Sequence, residues 1–203
     1  MDLELHSTKT VAREIAEKLN KFEKIYLNPV AGSGSCDIEL AKKFKKVAFL
    51  LIEKKFKRAF RAASKVEKFG LTNVLVVRGK FEQFLDIVRG FTCDCINLLF
   101  PDPWPKERWK ENRLYAYSTL RDMISILKPR GNLLVKTDSW LIFAEILVSS
   151  AIALKNNSYR LPYKEPIKVL RSDFEKKFIA KKQSIGFFVV KNTTPLSTSF
   201  SPF

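Results

Sequence analysis

Lys24-Ile25-Tyr26-Leu27 runs straight into Asn28-Pro29-Val30-Ala31-Gly32-Ser33-Gly34-Ser35, and the reading of this stretch decides the fold. Residues 24–27 have the apolar character of a short strand, and the Pro- and Gly-bearing segment after them is a turn. Asp37 to Phe44 then reads as a helix, and Val47 to Ile52 is an apolar run of strand length. The same alternation continues in both directions. Upstream, Thr10 to Asn20 is an amphipathic helix with Val11, Ile15 and Leu19 on one face. Downstream, Glu53 closes the second strand, and Lys54 to Lys68 is a strongly basic helix stopped near Gly70. Asn73 to Val77 is a third strand, Phe81 to Val88 a short helix and Asp94 to Leu99 a fourth strand. A helix from about Arg113 to Leu127 ends at Lys128-Pro129-Arg130-Gly131. Asn132 to Lys136 is a fifth strand, and Ser139 to Leu154 a helix. Such βαβ alternation predicts a parallel sheet covered on both faces. After Asn156 the pattern changes: Ile167 to Leu170 and Ile185 to Val190 read as two strands joined through Ser172 to Lys182.

With 203 residues the chain is expected to form one domain, 1–203, opening with a helical segment (1–23) and closing with a polar, disordered tail (192–203). Seventeen Phe support a sizeable core. The formal charge of +16 predicts attraction to polyanions, for which nucleic acid and membrane surfaces are the usual candidates. Cys36, Cys93 and Cys95 make neither a disulfide framework nor a zinc site, and read as reduced thiols in or near the core. His6 is the only histidine, so no histidine metal cluster is expected. Asp2 and Glu4 stand where a signal peptide would be basic, and no apolar run is long enough to span a membrane; the cytoplasm is the expected compartment.

Function in open α/β sheets sits where strands end. After the first strand, Gly32-x-Gly34 lets a ligand approach the backbone closely at a helix N-terminus. Glu53, nineteen positions after Gly34, can accept two hydrogen bonds from a ribose diol; a salt bridge to Lys54 or Lys57 is the plainer alternative. After the fourth strand comes Phe100-Pro101-Asp102-Pro103-Trp104-Pro105-Lys106, continuing through Arg108 and Arg113. Its prolines fix φ and pre-shape the loop around Asp102. Trp104 either stacks on a ligand or packs. Thr137-Asp138 ends the fifth strand, where Asp138 either serves a site or caps the next helix. Lys54, Lys57, Arg58, Arg61, Lys65 and Lys68 fall on one helix face, a stripe that either meets a polyanion or is merely solvated.

The Phe-Pro-Asp-Pro-Trp run at residues 100–104, with the basic residues after it, closely resembles the signature of the tRNA (guanine-N7-)-methyltransferases. Ser172-Asp173-Phe174-Glu175 resembles that family's Thr-x-Tyr/Phe-Glu segment. The resemblance covers about residues 24–190. It implies an α/β, Rossmann-like class I methyltransferase fold: a mostly parallel seven-stranded sheet with an antiparallel C-terminal edge pair and helices on both faces. It implies methyl transfer from S-adenosylmethionine to N7 of a guanosine in tRNA, in the variable loop, without a metal or a membrane. By the same resemblance, Asp102 is the catalytic residue and also lies by the cofactor. Asn28, Gly32, Gly34, Glu53 and Lys80 stand at the other cofactor positions. Lys106, Arg108, Arg113, Asp138, Ser172 and Glu175 stand at tRNA-binding positions. Monomer and homodimer both remain open. The family often carries a longer basic N-terminal arm, expected here to be reduced.

The cofactor turn departs from the family pattern. Asn28 replaces an acid, Val30 the first glycine of Gly-x-Gly-x-Gly, and Lys80 an Asp near the adenine. These changes motivate a second reading, an RNA-binding protein with a decayed donor site. A third is a methyltransferase of the same fold acting on another substrate.

Overall fold

The computed structural model describes residues 3–4, 8–88, 90–104, 106, 108, 113–153, 173–182 and 185–192. In chain order the elements are β1 (Leu3–Glu4), α1 (Thr8–Leu19), β2 (Lys24–Asn28), α2 (Ser35–Lys43), β3 (Val47–Glu53), α3 (Phe56–Lys68) and β4 (Val74–Arg78). There follow α4 (Phe81–Ile87), β5 (Cys93–Leu99), α5 (Tyr117–Ser125), β6 (Leu127–Thr137), α6 (Trp140–Ala153), α7 (Asp173–Ala180) and β7 (Gly186–Lys191).

The seven strands form one sheet in the order β1-β4-β3-β2-β5-β6-β7. Every neighbouring pair is parallel except β6–β7, which is antiparallel. The alternation of side chains along β3 builds both cores at once. Ala48, Leu50 and Ile52 face a core shared with α1, α4, α5 and α6, whereas Phe49 and Leu51 face one shared with α2 and α3. A strand buried on both faces must be apolar throughout, which is why Val47–Ile52 lacks the polar alternation of a half-exposed strand.

Two details differ from the sequence reading, and a third lies partly outside the described residues. The sheet gains β1, two residues pairing in parallel with Val77 and Arg78, too short to leave a periodic signal. Among the expected antiparallel edge strands, β7 is present, while 167–170 lies outside the described residues. The segment 127–131, expected to terminate a helix, belongs instead to β6. Cys93 pairs with Leu127 and Cys95 with Asn132, so the residues between them on β6 bulge out. Gly131 belongs there because a Cβ would meet the Lys128 carbonyl oxygen at 2.8 Å. The bulge is pinned from β7 by Arg130 N–H donating to the Asn192 carbonyl and Asn192 N–H donating to that of Gly131, each 2.8 Å. α5 accordingly runs only from Tyr117 to Ser125.

Candidate active site

A cleft of about 310 Å³ opens at the carboxyl ends of β2–β6, where a parallel sheet presents its loops. Asn28, Gly32, Glu53, Lys80, Asp102 and Asp138 all line it. The fold thus brings together residues from five separate strand ends.

One wall is the β2–α2 turn. Gly34 has φ +63°, and a Cβ on it would lie 3.1 Å from Leu51 Cδ1 and 3.3 Å from Ala62 Cβ, so it packs beneath the cleft rather than lining it. Gly32 has φ +59° with open space where a Cβ would sit. Glu53 is buried and clasps this turn. Its Oε2 accepts the Gly32 N–H at 3.0 Å, and its Oε1 accepts the Lys55 N–H at 2.7 Å. It therefore binds backbone rather than the neighbouring lysines. Each carboxylate oxygen has a second lone pair for an outside donor.

Both polar atoms of the Asn28 side chain are engaged within the protein. Its Oδ1 accepts the Val30 N–H at 3.0 Å, shaping the turn, while Nδ2 donates to Asp37 at 3.1 and 3.2 Å. Asp37 went unnoticed in the sequence reading. Its carboxylate also accepts the Tyr26 hydroxyl at 2.8 Å, and that hydroxyl accepts from Asn97 Nδ2. A buried polar relay thus runs from β5 through β2 to the turn. Burial pushes the Asp37 carboxyl above its usual range, against the lowering effect of its bonds to Asn28 and Tyr26. Burial likewise raises Tyr26 well above its ordinary value, aided by the Asp37 charge. A sequence signal existed: Asp37 precedes Ala41 by one helical turn, on the buried face of α2. Lys65 also leaves the expected basic stripe. Its Nζ donates to the Ser33 carbonyl at 3.1 Å and Ser35 Oγ at 2.7 Å, bracing the turn from α3.

The facing wall is the loop after β5. Asp102 is exposed on it, between buried Pro101 and exposed Pro103. Phe100 and Trp104 flank this segment at φ 50° and 37°, left-handed values that cost non-glycine residues about 1–3 kcal/mol each. The surrounding structure holds them there. Phe100 N–H donates to the Lys136 carbonyl at 2.8 Å. The Tyr115 hydroxyl donates to the Pro103 carbonyl, and Arg113 Nε to that of Trp104 at 3.1 Å. Arg113, one of the expected tRNA-binding residues, thus also braces the loop through its Nε. Lys54 Nζ lies 4.5 Å from the centre of the Trp104 ring, linking the walls.

Asp138 is exposed on the cleft, and Ser139 caps α6 instead, its Oγ accepting the Ile142 N–H at 3.4 Å. Lys80 is exposed on the rim, its N–H donating to Gln83 Oε1 at 3.1 Å. Lys106 and Arg108 are exposed outside the cleft lining. Ser172 lies outside the described residues, and Glu175 falls in α7 with its side chain outside them. Among the described residues no helix is long and apolar enough to cross a membrane, and no group of three or more His, Cys, Asp or Glu is placed to hold a metal ion. Cys95 is pushed up to about 12 by burial and by the Asp94 charge, and so is held as a thiol.

A family model described as "Putative methyltransferase" matches residues 23–187. The tRNA (guanine-N(7)-)-methyltransferase of Mycoplasmopsis pulmonis (strain UAB CTIP) is 32% identical over 191 residues, covering 91% of this chain and 92% of that protein. The chain belongs to the tRNA (guanine-N7-)-methyltransferase family. Solved structures agree on the methyltransferase fold. An antibiotic-related methyltransferase aligns with a TM-score of 0.62 at 19% identity, covering 92% of this chain and 96% of that one. A Streptococcus mutans methyltransferase in complex with SAH aligns at 0.55 and 8% identity, covering 88% and 96%. The α/β sheet with its antiparallel member is therefore the methyltransferase architecture that the sequence resemblance implied.

Proposed function

We propose that this family member transfers the methyl group of S-adenosylmethionine to N7 of a guanosine in tRNA, within the variable loop. One observation carries the reading: Asp102, on a loop pinned at both ends, opens onto the same cleft as Glu53 and the glycine turn. The residues present fit the donor. Glu53 has lone pairs beside the turn for a ribose diol, and Gly32 offers bare backbone. The cleft volume lies at the lower end of the range for small-molecule sites. Lys80, exposed at the rim, can extend its ammonium into water. Bound there, S-adenosylmethionine supplies an electrophilic methyl group on a sulfonium.

Guanine N7 carries a lone pair and no proton, so the chain needs no general base. Positive charge grows on the purine as the methyl arrives, and the fixed Asp102 carboxylate stabilises it. Asp138 contacts the acceptor nucleoside, while Lys106, Arg108 and Arg113 hold phosphates. Ser172 and Glu175 complete the guanine site, Glu175 accepting from N1 and N2, a donor pattern adenine lacks.

The test uses unmodified tRNA and methyl-labelled donor, followed by digestion to nucleosides. Labelled 7-methylguanosine from the variable loop is the expected product. Bound tRNA without donor binding or product would replace this reading with the RNA-binding one. Label in another nucleoside would mean a different substrate.

A further inference from the structure

Helix α3 turns small apolar residues to the core and its large rings to solvent. Its buried residues are Ala59 and Ala62, whereas Phe56 and Phe60 are 57% and 54% exposed. Their rings stack on each other with centroids 6.0 Å apart and planes 27° from parallel. The Arg78 guanidinium carbon, at the end of β4, lies 5.6 Å from the centre of the Phe56 ring. Lys57 and Arg61, beside the rings in sequence, are exposed. Within residues 54–68, seven bases stand with Glu67 as the only acid. Arg58 and Lys54 carry this surface into the cleft, and Lys54 reaches the Trp104 ring on the opposite wall.

We propose that Phe56 and Phe60 form a stacking platform for unpaired bases of the RNA substrate, with Lys57, Arg61 and Arg78 holding the phosphates around them. The inference rests on the tRNA reading above and extends it to a second contact region beside the cleft. Aromatic faces framed by cations suit single-stranded nucleic acid, since every base has a face to stack and every nucleotide an anion to neutralise. A second copy of this chain is a poorer occupant, because each copy carries +16. The surface also explains why the helix shows rings to water: they are withheld from the core for a ligand.

The test measures tRNA and oligouridine binding by fluorescence anisotropy across a salt series, with no methyl donor present, so it is read independently of turnover. Phe56→Ala/Phe60→Ala is expected to bind both RNAs about tenfold or more weaker at physiological salt. The slope of log affinity against log salt should stay unchanged, because no charge is lost. Lys57→Ala/Arg61→Ala should instead flatten that slope by about one to two units. Phe56→Trp/Phe60→Trp should keep wild-type affinity, while Phe56→Leu/Phe60→Leu, apolar but ringless, should bind as weakly as the alanine variant. Wild-type affinity in the alanine or leucine variant would overturn the proposal. So would a wild-type dimer by sedimentation that these substitutions dissociate without changing RNA affinity.

Discussion

The two walls of the cleft are built on opposite principles. The glycine-turn wall is largely buried and braced from within: Glu53, Asn28, Asp37, Tyr26 and Lys65 bind one another or backbone of the turn. The signature wall is exposed and strained. Phe100 and Trp104 sit at left-handed φ, held by Tyr115, Arg113 and the Lys136 carbonyl from outside the loop. The contrast fits a small ligand enclosed on one side and a large one arriving on the other. Asp37, nine residues after Asn28 in the first turn of α2, anchors the glycine turn through the Asn28 amide.

The largest effect should come from the exposed wall. Asp102→Ala should lower turnover about 10²–10³-fold, with RNA binding and thermal stability unchanged, since the role proposed for its carboxylate is to support charge rather than fold. Near-wild-type turnover would remove Asp102 from the chemistry. In the buried wall the ranking is reversed, with stability more sensitive than rate. Gly34→Ala should destabilise by about 1–2 kcal/mol from φ alone, and by more because Leu51 and Ala62 must yield. Gly32→Ala has the same φ strain without the crowding, so it should melt higher than Gly34→Ala while weakening donor binding. Equal melting temperatures would show that packing under Gly34 is unimportant.

A smaller effect is expected from Tyr115→Phe, which deletes one brace of the signature loop. Stability should fall by about 1 kcal/mol, and turnover several-fold through loosened positioning of Asp102. Turnover unchanged beside a lower melting temperature would separate the brace from the chemistry. The subtlest effect concerns Asp37. Burial raises its carboxyl in the folded state, so the folded chain holds that proton more tightly than the unfolded chain. The resulting stability is full below the ordinary carboxylate value and is lost as pH rises from about 4 toward the raised one. Asp37→Asn should remove that slope, so the wild-type advantage in melting temperature should shrink across this window. Parallel pH profiles would contradict it.

The strands from Lys24 to Leu99 were legible because a parallel sheet buried on both faces demands continuous apolar runs. The signature loop was legible because prolines and charge cluster at a strand end. What stayed hidden depended on contacts distant in sequence. Lys128-Pro129-Arg130-Gly131 carries the residues of a helix stop, yet β7 pins it as a bulge. Lys65 reads as one more base on a helix face until its reach to Ser33 is seen. Asp138 and Ser139 are both plausible caps by type, and only the bond to Ile142 selects Ser139. Asp37 left a trace in the helical phase, but its partners Tyr26 and Asn28 come from another element.

The divergent turn is proposed to hold S-adenosylmethionine still. Calorimetric titration of the intact chain with S-adenosylmethionine, beside Glu53→Ala, tests it most directly. Saturable binding by the wild-type chain, weakened about tenfold or more in the variant as a hydrogen-bonded carboxylate is lost, is the predicted result. No heat of binding in the wild-type chain, alone or with tRNA present, would contradict it.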